Sequence, residues 1–354
     1  MAEIEPKPRL YALDAARASM MLLGVLLHGL LFSTSYLDNQ SVVEDRVFSS
    51  VYFTFHTFRL PAFFVLAGFF ACLLIDKRGL TGFLRNRGLR LGLVLVIFTP
   101  LMVTATLYAA DKLESISSFE GVLRRGFMHL WFIFFLLIFS VLLYLLSFVR
   151  TSARFAELQA KAGVWVTDPR TLVVAPLVLL IAPDFLDPNS EIRTSTSFIP
   201  DFPLLGFYGM FFVFGILLFR SGAKGLEELS KRSFLLCSIG LVFAQFAFGW
   251  GSILPPGFLR DFASMVASFY LAFGVIGVFQ RLVTSTGSIW RYLSRTSYWV
   301  YLVHPPILWA LLRSFEPFGL PATVTLTMSL VGVLALSFAT FELFVRRTRL
   351  SAIV

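Results

Sequence analysis

The chain has 354 residues, of which 57% are hydrophobic and only 14% are charged, and its mean hydropathy is +0.79. Soluble domains carry about 25% charged residues, so this composition cannot cover a water-exposed surface. Disordered, collagen-like and disulfide-scaffold classes are also excluded, because the chain holds 41 Phe and only two Cys. The composition predicts an all-α, polytopic integral membrane protein.

Runs of roughly 17–25 mainly apolar residues are typical of transmembrane helices. They predict one membrane domain over residues 1–354, a helical bundle of about ten spans. The first run, residues 18–32, has no cleavage signature and is expected to remain as a signal anchor. The fifth span is short and contains Pro176. The predicted spans are 14–34, 47–75, 90–109, 127–149, 171–183, 203–219, 234–250, 259–280, 295–313 and 322–345.

Basic residues are distributed unevenly over the loops between these spans. An even number of spans places both termini on one side, and most of the 30 Lys and Arg residues fall in segments on that side. Loops rich in Lys and Arg face the cytoplasm, so both termini are expected to be cytoplasmic. This distribution also explains the net charge of +9 without a nucleic-acid partner.

The first predicted helix carries three ionisable residues on one face. Arg17 and His28 are eleven residues apart, about three turns plus 20°, and Asp14 precedes Arg17 by three positions. Charges within a membrane are costly and are candidates for function by default. The alternative is an interfacial arginine and a histidine bonded to a neighbouring helix. The shared face favours a position in the bundle interior or along a cavity.

His56 and Arg59 lie near the start of the second predicted span, at the same membrane depth as His28. This position favours a shared site, and the alternative for Arg59 is an anchor at the outer interface. Glu342, near the inner end of the last span, is expected to pair with an arginine.

Two further histidines lie in later spans. His129 stands two residues before Trp131, which predicts either a site wall or part of an interfacial aromatic belt. His304 precedes Pro305 and Pro306, so we expect it to bond a carbonyl that the prolines free. The sequence has no HExxH motif and no close Cys/His spacing, so no metal site is predicted.

The densest basic cluster is GFLRNRGLR, which contains Arg85, Arg87 and Arg90. Such a cluster binds anionic lipid head groups or a phosphorylated ligand. Because Arg17 is expected to lie near the same membrane face, a phosphate-bearing donor is a plausible ligand.

Several segments, taken in order, resemble the membrane-bound acyltransferase-3 family. They are the Arg-x10-His spacing of the first helix, then FRLPAFFVLAGFF, FLRNRGLRLGLVLVIFTP, HLWF, YLVHPPI and FELFVRR. The opening RLYALDAARASMMLLGVLLHGLLFSTSY is most similar to the branch that succinylates periplasmic glucans. One difference is Ala67-Gly68, where much of the family has Ser-Gly.

The resemblance implies an acyl-CoA-dependent O-acyltransferase of the bacterial inner membrane. Such an enzyme takes an acyl group from cytoplasmic acyl-CoA, in this branch succinyl-CoA, and delivers it to a hydroxyl of a periplasmic glucan involved in osmoregulation. Acyl-CoA is then a co-substrate, and no bound cofactor is expected. Two alternatives stay open: an O-acetyltransferase of lipopolysaccharide or another envelope polysaccharide, and a transporter or flippase that uses the intramembrane ionisable residues.

Carried over by position, the resemblance implies that His28 and Arg17 are essential. We expect His28 to act as general base on the sugar hydroxyl and Asp14 to orient Arg17. Arg59 or His56 is expected to stabilise the oxyanion. A covalent acyl-histidine intermediate is the alternative to direct transfer.

The remaining candidates divide between the two substrates. Residues expected to hold the CoA phosphates are Arg17, Arg85, Arg87 and Arg90. Residues expected to line the acceptor side are His129, Trp131 and His304.

Overall fold

The computed structural model describes residues 8–36, 42–147, 192–249, 258–285 and 287–353, together with residue 176. Within these ranges the chain is almost entirely helical and forms no β-sheet, which confirms the all-α prediction for this part of the sequence. The α-helices are α1 Pro8–Tyr36, α2 Val42–Arg87, α3 Leu93–Ala109, α4 Phe119–Arg125, α5 Trp131–Leu146, α6 Phe202–Arg220, α7 Gly222–Gly249, α8 Phe258–Leu282, α9 Ser288–Phe315 and α10 Ala322–Thr340.

Seven stretches of the described residues are long and apolar enough to cross a membrane, so the chain is a multi-pass membrane protein. The predicted count of about ten spans is not confirmed. Two predicted spans fall within one continuous stretch, and the predicted span 295–313 lies in α9, which is not among the seven. The predicted span 171–183 lies outside the described residues, except for residue 176. The seven are Leu10–Ser33, Arg46–Ala109, Met128–Leu146, Phe202–Arg220, Gly222–Gly249, Phe258–Leu282 and Ala322–Val345.

The basic segment after the second span is helical, although its sequence suggests a loop. The helical path of α2 breaks at Gly79, which has φ 68° and ψ 174°, a conformation that glycine adopts without a Cβ clash. Helix then resumes as far as Arg87, and one π-helical turn, Gly88–Gly92, leads into α3. The basic side chains are therefore held on a helix at the end of the bundle.

Helix α1 lies at the centre of the bundle, in contact with α2, α8, α9 and α10. Its first turns bury the small side chains Ala12, Ala15, Ala16 and Ala18. Small residues allow neighbouring helices to approach closely in a membrane protein. This packing holds α1 against its neighbours, while the side chains of Arg17 and Asp14 stay 36% and 38% exposed.

Helices α2 and α6 approach each other to backbone contact. A Cβ on Gly68 would collide with the carbonyl oxygen of Phe212, and a Cβ on Gly215 would collide with that of Val65. The glycine of the Ala67-Gly68 pair therefore serves helix packing, while Ala67 borders a cavity.

Candidate functional site

Three cavities follow one another along α1. The basic vestibule has a volume of about 830 Å³ and is lined by Tyr11, Asp14, Arg17, Arg90, Ser288, Trp290, Arg291, Tyr292, Ser294, Arg295, Phe341, Glu342, Arg346 and Ser351. The central channel, of about 120 Å³, is lined by Arg17, Met21, Phe63, Ala67, Phe70, Arg87, Arg90, Leu91, Phe132, Ile133, Leu136, Ser140, Phe212, Ser294, Ser297 and Tyr298. The histidine cavity, of about 570 Å³, is lined by Leu27, His28, Leu31, Phe32, Tyr52, His56, Arg59, Leu60, Thr106, Ser115, Gly121, Arg125, Met128, His129, Trp131, Phe132, Thr194, Thr196, Tyr301 and Pro305.

The three cavities share wall residues and so form a series. Arg17, Arg90 and Ser294 border both the basic vestibule and the central channel, and Phe132 borders both the channel and the histidine cavity. Arg17 lies where the vestibule meets the channel, and His28 borders the histidine cavity. The face of α1 predicted from their eleven-residue spacing is thus turned toward an internal path.

His28 on α1 is paired with His304 on α9. The Nδ1 of His28 lies 2.6 Å from the Nε2 of His304, and the two rings are nearly parallel, with their centroids 4.9 Å apart. His304 is completely buried, whereas His28 is only partly buried and borders the histidine cavity. His304 therefore holds His28 by a hydrogen bond from the buried interior, on the side away from the cavity.

Two consecutive prolines in α9 free two backbone carbonyls beside these rings. Each helical N–H normally donates to the carbonyl four residues earlier, and proline has no N–H. Pro305 and Pro306 therefore leave the carbonyls of Tyr301 and Leu302 without their usual donors. The Nδ1 of His304 lies 2.7 Å from the oxygen of Tyr301. The expectation that His304 bonds a carbonyl freed by the prolines is confirmed.

His129 uses the second freed carbonyl. Its Nε2 lies 3.2 Å from the oxygen of Leu302, and the hydroxyl of Tyr301 donates to the backbone oxygen of His129. The Nδ1 of His129 is buried without a hydrogen-bond partner. The residue is therefore held by α9 on the wall of the histidine cavity.

These contacts fix where the ring hydrogens lie. A carbonyl oxygen only accepts, so the Nδ1 of His304 carries a hydrogen and donates it. A completely buried ring is costly to charge, so His304 is neutral and its Nε2 accepts. His28 then donates from Nδ1, which leaves its Nε2 as the unprotonated nitrogen. The arrangement gives His28 a free base nitrogen at the cavity wall.

Arg59 and His56, on α2, also border the histidine cavity, as expected. Both are more than nine-tenths buried, and the Nε of Arg59 has no hydrogen-bond partner. A Cβ on Gly24 would collide with the Nη1 of Arg59, so the guanidinium lies against α1 one turn before His28. His56 stacks on Tyr52, with ring centroids 5.1 Å apart. No carboxylate in the described residues forms an ion pair with Arg59.

The opposite wall of the histidine cavity is polar, which the sequence analysis did not anticipate. Ser115 and Arg125, from the segment around α4, meet Thr194 and Thr196 there, beside the predicted Trp131. The segment is held in place by a 2.7 Å hydrogen bond from the N–H of Phe127 to the oxygen of Thr196, and by the Ser118 side chain that caps α4. Hydroxyls in such a wall suit a ligand that is itself rich in hydroxyls.

Three of the four predicted phosphate-binding arginines converge on the central channel. Arg17, Arg87 and Arg90 all border it, and Arg17 forms a 2.9 Å ion pair with Asp14. The Nε of Arg87 is buried without a partner. Arg85 is exposed and lines none of the three cavities. We call the end of the channel beside the vestibule, where Arg17, Arg87 and Arg90 lie, the channel mouth. Its three cations have the geometry of an anion site.

The sequence analysis missed the contribution of α9 to the basic vestibule. Trp290, Arg291, Tyr292 and Arg295 line it from the first turns of that helix. The alternation of aromatic and basic residues in SIWRYLSR was a usable signal. Glu342, at the vestibule wall, forms the expected pair with an arginine: its carboxylate lies 2.6 Å from Arg346.

The described residues contain no group of three or more His, Cys, Asp or Glu side chains placed to hold a metal ion. The histidines near the cavity are engaged elsewhere, since His304 and His129 each donate to a backbone carbonyl and His28 bonds His304. These side chains are arranged for hydrogen bonding.

Comparisons with known proteins identify the family of the chain. A sequence model of the acyltransferase 3 family, described as an acyltransferase domain, matches residues 10–342. Glucans biosynthesis protein C from Escherichia coli O139:H28 and from E. coli K12 are each 22% identical over 324 residues, which cover 85% of this chain and 83% of the relative. No solved structure matches the chain significantly. The chain therefore belongs to the acyltransferase 3 family of membrane acyltransferases.

Proposed function

We propose that the protein transfers an acyl group, the succinyl group, from acyl-CoA to a hydroxyl of a periplasmic glucan. The observation that carries this proposal is the contact between His28 Nδ1 and His304 Nε2, from which we assign an unprotonated Nε2 to a neutral His28, at one end of a series of cavities that has arginines at the other. Family membership supports acyl transfer, and the relatives named for glucan biosynthesis support the acceptor. In the predicted orientation, the basic vestibule opens to the cytoplasm of the bacterium and the histidine cavity to the periplasm.

The donor enters from the basic vestibule. Arginines bind phosphate oxygens through charge-assisted, often bidentate hydrogen bonds, and Arg17, Arg87 and Arg90 are gathered at the channel mouth. The channel, of about 120 Å³, is much smaller than the vestibule, and we assign it to the thin linker of the donor and not to its nucleotide. Arg17 and His28 are ~16 Å apart along the helix axis, a distance that a pantetheine-like arm spans when extended. The thioester then reaches His28 while the phosphates stay on the arginines.

The chemistry proceeds by direct transfer. The Nε2 of His28 removes the proton from the sugar hydroxyl as its oxygen attacks the thioester carbonyl. The carbon–sulfur bond then breaks, the new ester remains on the sugar, and the departing thiolate takes the proton from His28. His304 is a positioning residue, because it holds the Nδ1–H of His28 throughout. Arg59, which is buried and has no counter-ion among the described carboxylates, stabilises the negative charge on the carbonyl oxygen.

Transfer of radiolabel tests the proposal. Purified protein in proteoliposomes receives succinyl-CoA labelled in the acyl group on one side and periplasmic glucan on the other. We expect label on the glucan with wild-type protein, a loss of at least about a hundredfold with His28→Ala, and a wild-type rate with Arg349→Gln, an exposed control. Wild-type rates with His28→Ala would remove His28 as the base, and no transfer by the wild type would remove the proposed reaction.

The same material separates direct transfer from an acyl-histidine intermediate. Labelled donor is supplied without glucan, and the protein is then isolated under denaturing conditions. Direct transfer predicts no label on the protein. Label that depends on His28 would replace direct transfer with a two-step reaction.

A further inference from the structure

The basic vestibule contains more positive charge than its carboxylates neutralise. Among the described residues, five arginines and two carboxylates line it. Both carboxylates are already engaged, Asp14 with Arg17 at 2.9 Å and Glu342 with Arg346 at 2.6 Å. Arg295 is exposed to the vestibule and forms no ion pair with a described carboxylate. The vestibule is therefore ready to receive an anion at a second position.

This second position is distinct from the arginines of the channel mouth. Arg17 and Arg90 border both the vestibule and the channel, whereas Arg295 borders the vestibule alone. Two hydrogen bonds from side chains of α9 to backbone oxygens connect the two positions. The hydroxyl of Tyr298, one turn after Arg295 on α9, donates to the backbone oxygen of Arg90 at 2.6 Å, and Ser294 donates to the oxygen of Asp14 at 3.3 Å.

The size and lining of the vestibule indicate what lies between the two anion positions. Its volume of about 830 Å³ exceeds what a thin linker fills and lies within the range of sites for drug-sized ligands. The aromatic side chains of Tyr11, Trp290 and Tyr292 line the same space. A ligand with a planar ring and two separate phosphate groups matches this combination.

We propose that the vestibule binds the nucleotide of coenzyme A, with Arg295 contacting the phosphate on the ribose 3′ position. This rests on the proposed function, since it assumes a coenzyme A donor. It adds a specificity: the protein discriminates in favour of complete coenzyme A and against carriers that present phosphopantetheine alone. Arg295 is a binding residue in this scheme and takes no part in the transfer step.

Binding of two unacylated ligands tests the proposal without any assumption about acyl group or acceptor. Full-length protein in phosphatidylcholine nanodiscs is titrated calorimetrically with coenzyme A and with 3′-dephospho-coenzyme A. The wild type is expected to bind coenzyme A about tenfold more tightly, as one charge-assisted contact provides. Arg295→Gln is expected to weaken coenzyme A binding about tenfold and to leave the dephospho ligand within about twofold. Arg349→Gln, exposed at the same end of the molecule, is the matched control.

Each remaining outcome counts against the proposal. If the wild type binds coenzyme A and 3′-dephospho-coenzyme A equally well, the proposal is overturned and the proposed function stays intact. This result does not depend on whether Arg295→Gln folds. If Arg295→Gln weakens the binding of both ligands equally, Arg295 acts only through the general positive potential of the vestibule. That result also overturns the proposal. A preference that disappears in nanodiscs containing phosphatidylglycerol assigns the position to a lipid phosphate instead. Failure to bind either ligand removes the proposed coenzyme A donor itself.

Discussion

The 2.6 Å contact between the Nδ1 of His28 and the Nε2 of His304 connects two residues that are 276 positions apart. It joins α1 to α9, and its direction is set by the backbone of α9, because the Tyr301 carbonyl takes the hydrogen of His304 Nδ1. The protonation of His28 thus follows from the position of Pro305. Helix geometry, rather than a nearby carboxylate, orients the proposed base.

Replacing His304 is expected to lower kcat without a large change in KM. His304→Ala leaves the Nδ1–H of His28 without its acceptor, so we expect kcat to fall about a hundredfold, within the range for general base catalysis. The measurement is steady-state transfer over a range of donor concentrations. His304→Gln, which restores a side-chain acceptor, is expected to recover part of the rate. An unchanged kcat in His304→Ala would contradict the positioning role.

Pro305→Ala separates stability from activity. The new N–H at position 305 competes with His304 for the Tyr301 carbonyl, and proline within a helix costs about 3 kcal/mol. We expect the Tm to rise or stay constant. We expect kcat to fall about tenfold, because His304 would no longer be held in the orientation that positions His28. Pro100→Ala in α3, at an exposed position that lines none of the three cavities, is the control and should retain its kcat. A normal kcat in Pro305→Ala would show that the freed carbonyl is not needed.

Gly24→Ala is expected to displace the guanidinium of Arg59. Because a Cβ at position 24 occupies the place of Nη1, kcat should fall about as far as in Arg59→Gln, on the order of a hundredfold. The double variant should be no worse than Arg59→Gln alone, since both changes remove one interaction. Gly29→Ala on the same helix meets flexible leucine side chains and should alter kcat little. Additive losses would contradict the shared cause.

Gly68→Ala tests the packing of α2 against α6. The added methyl meets a backbone carbonyl that cannot rotate away, so we expect a loss of about 1–3 kcal/mol or more in the free energy of unfolding. Gly206→Ala on α6, which has no heavy atom near its Cβ position, should be neutral or stabilising. Thermal unfolding in detergent measures both. Equal Tm values for the two variants would show that the helices can separate at no cost.

Sequence reasoning located the local features of the site well. The eleven-residue spacing in α1 indicated the correct face, and residues at matched depth, His28, His56 and Arg59, do border one cavity. The double proline correctly indicated a carbonyl acceptor for His304. These predictions succeeded because helical periodicity and the missing proline N–H act over one to three turns.

Features that depend on long-range packing were not predicted. Nothing local to His28 indicates that its partner is His304, and the approach of Arg59 to α1 depends on Gly24, a residue without a side chain. Arg85 belonged to the expected anion site by composition, but its position on the helix after Gly79 leaves it outside all three cavities. On a helix, the rotation of a residue about the helix axis decides whether its side chain faces a cavity. The sequence of the basic segment suggests a loop, for which no such rotation can be predicted.

Phe132 stands between the central channel and the histidine cavity, in contact with Phe63 and Tyr301. An aromatic ring at this point interrupts any continuous column of water between the two faces of the bilayer. In the proposed reaction, acyl units would therefore cross the membrane while its ion gradients stay intact.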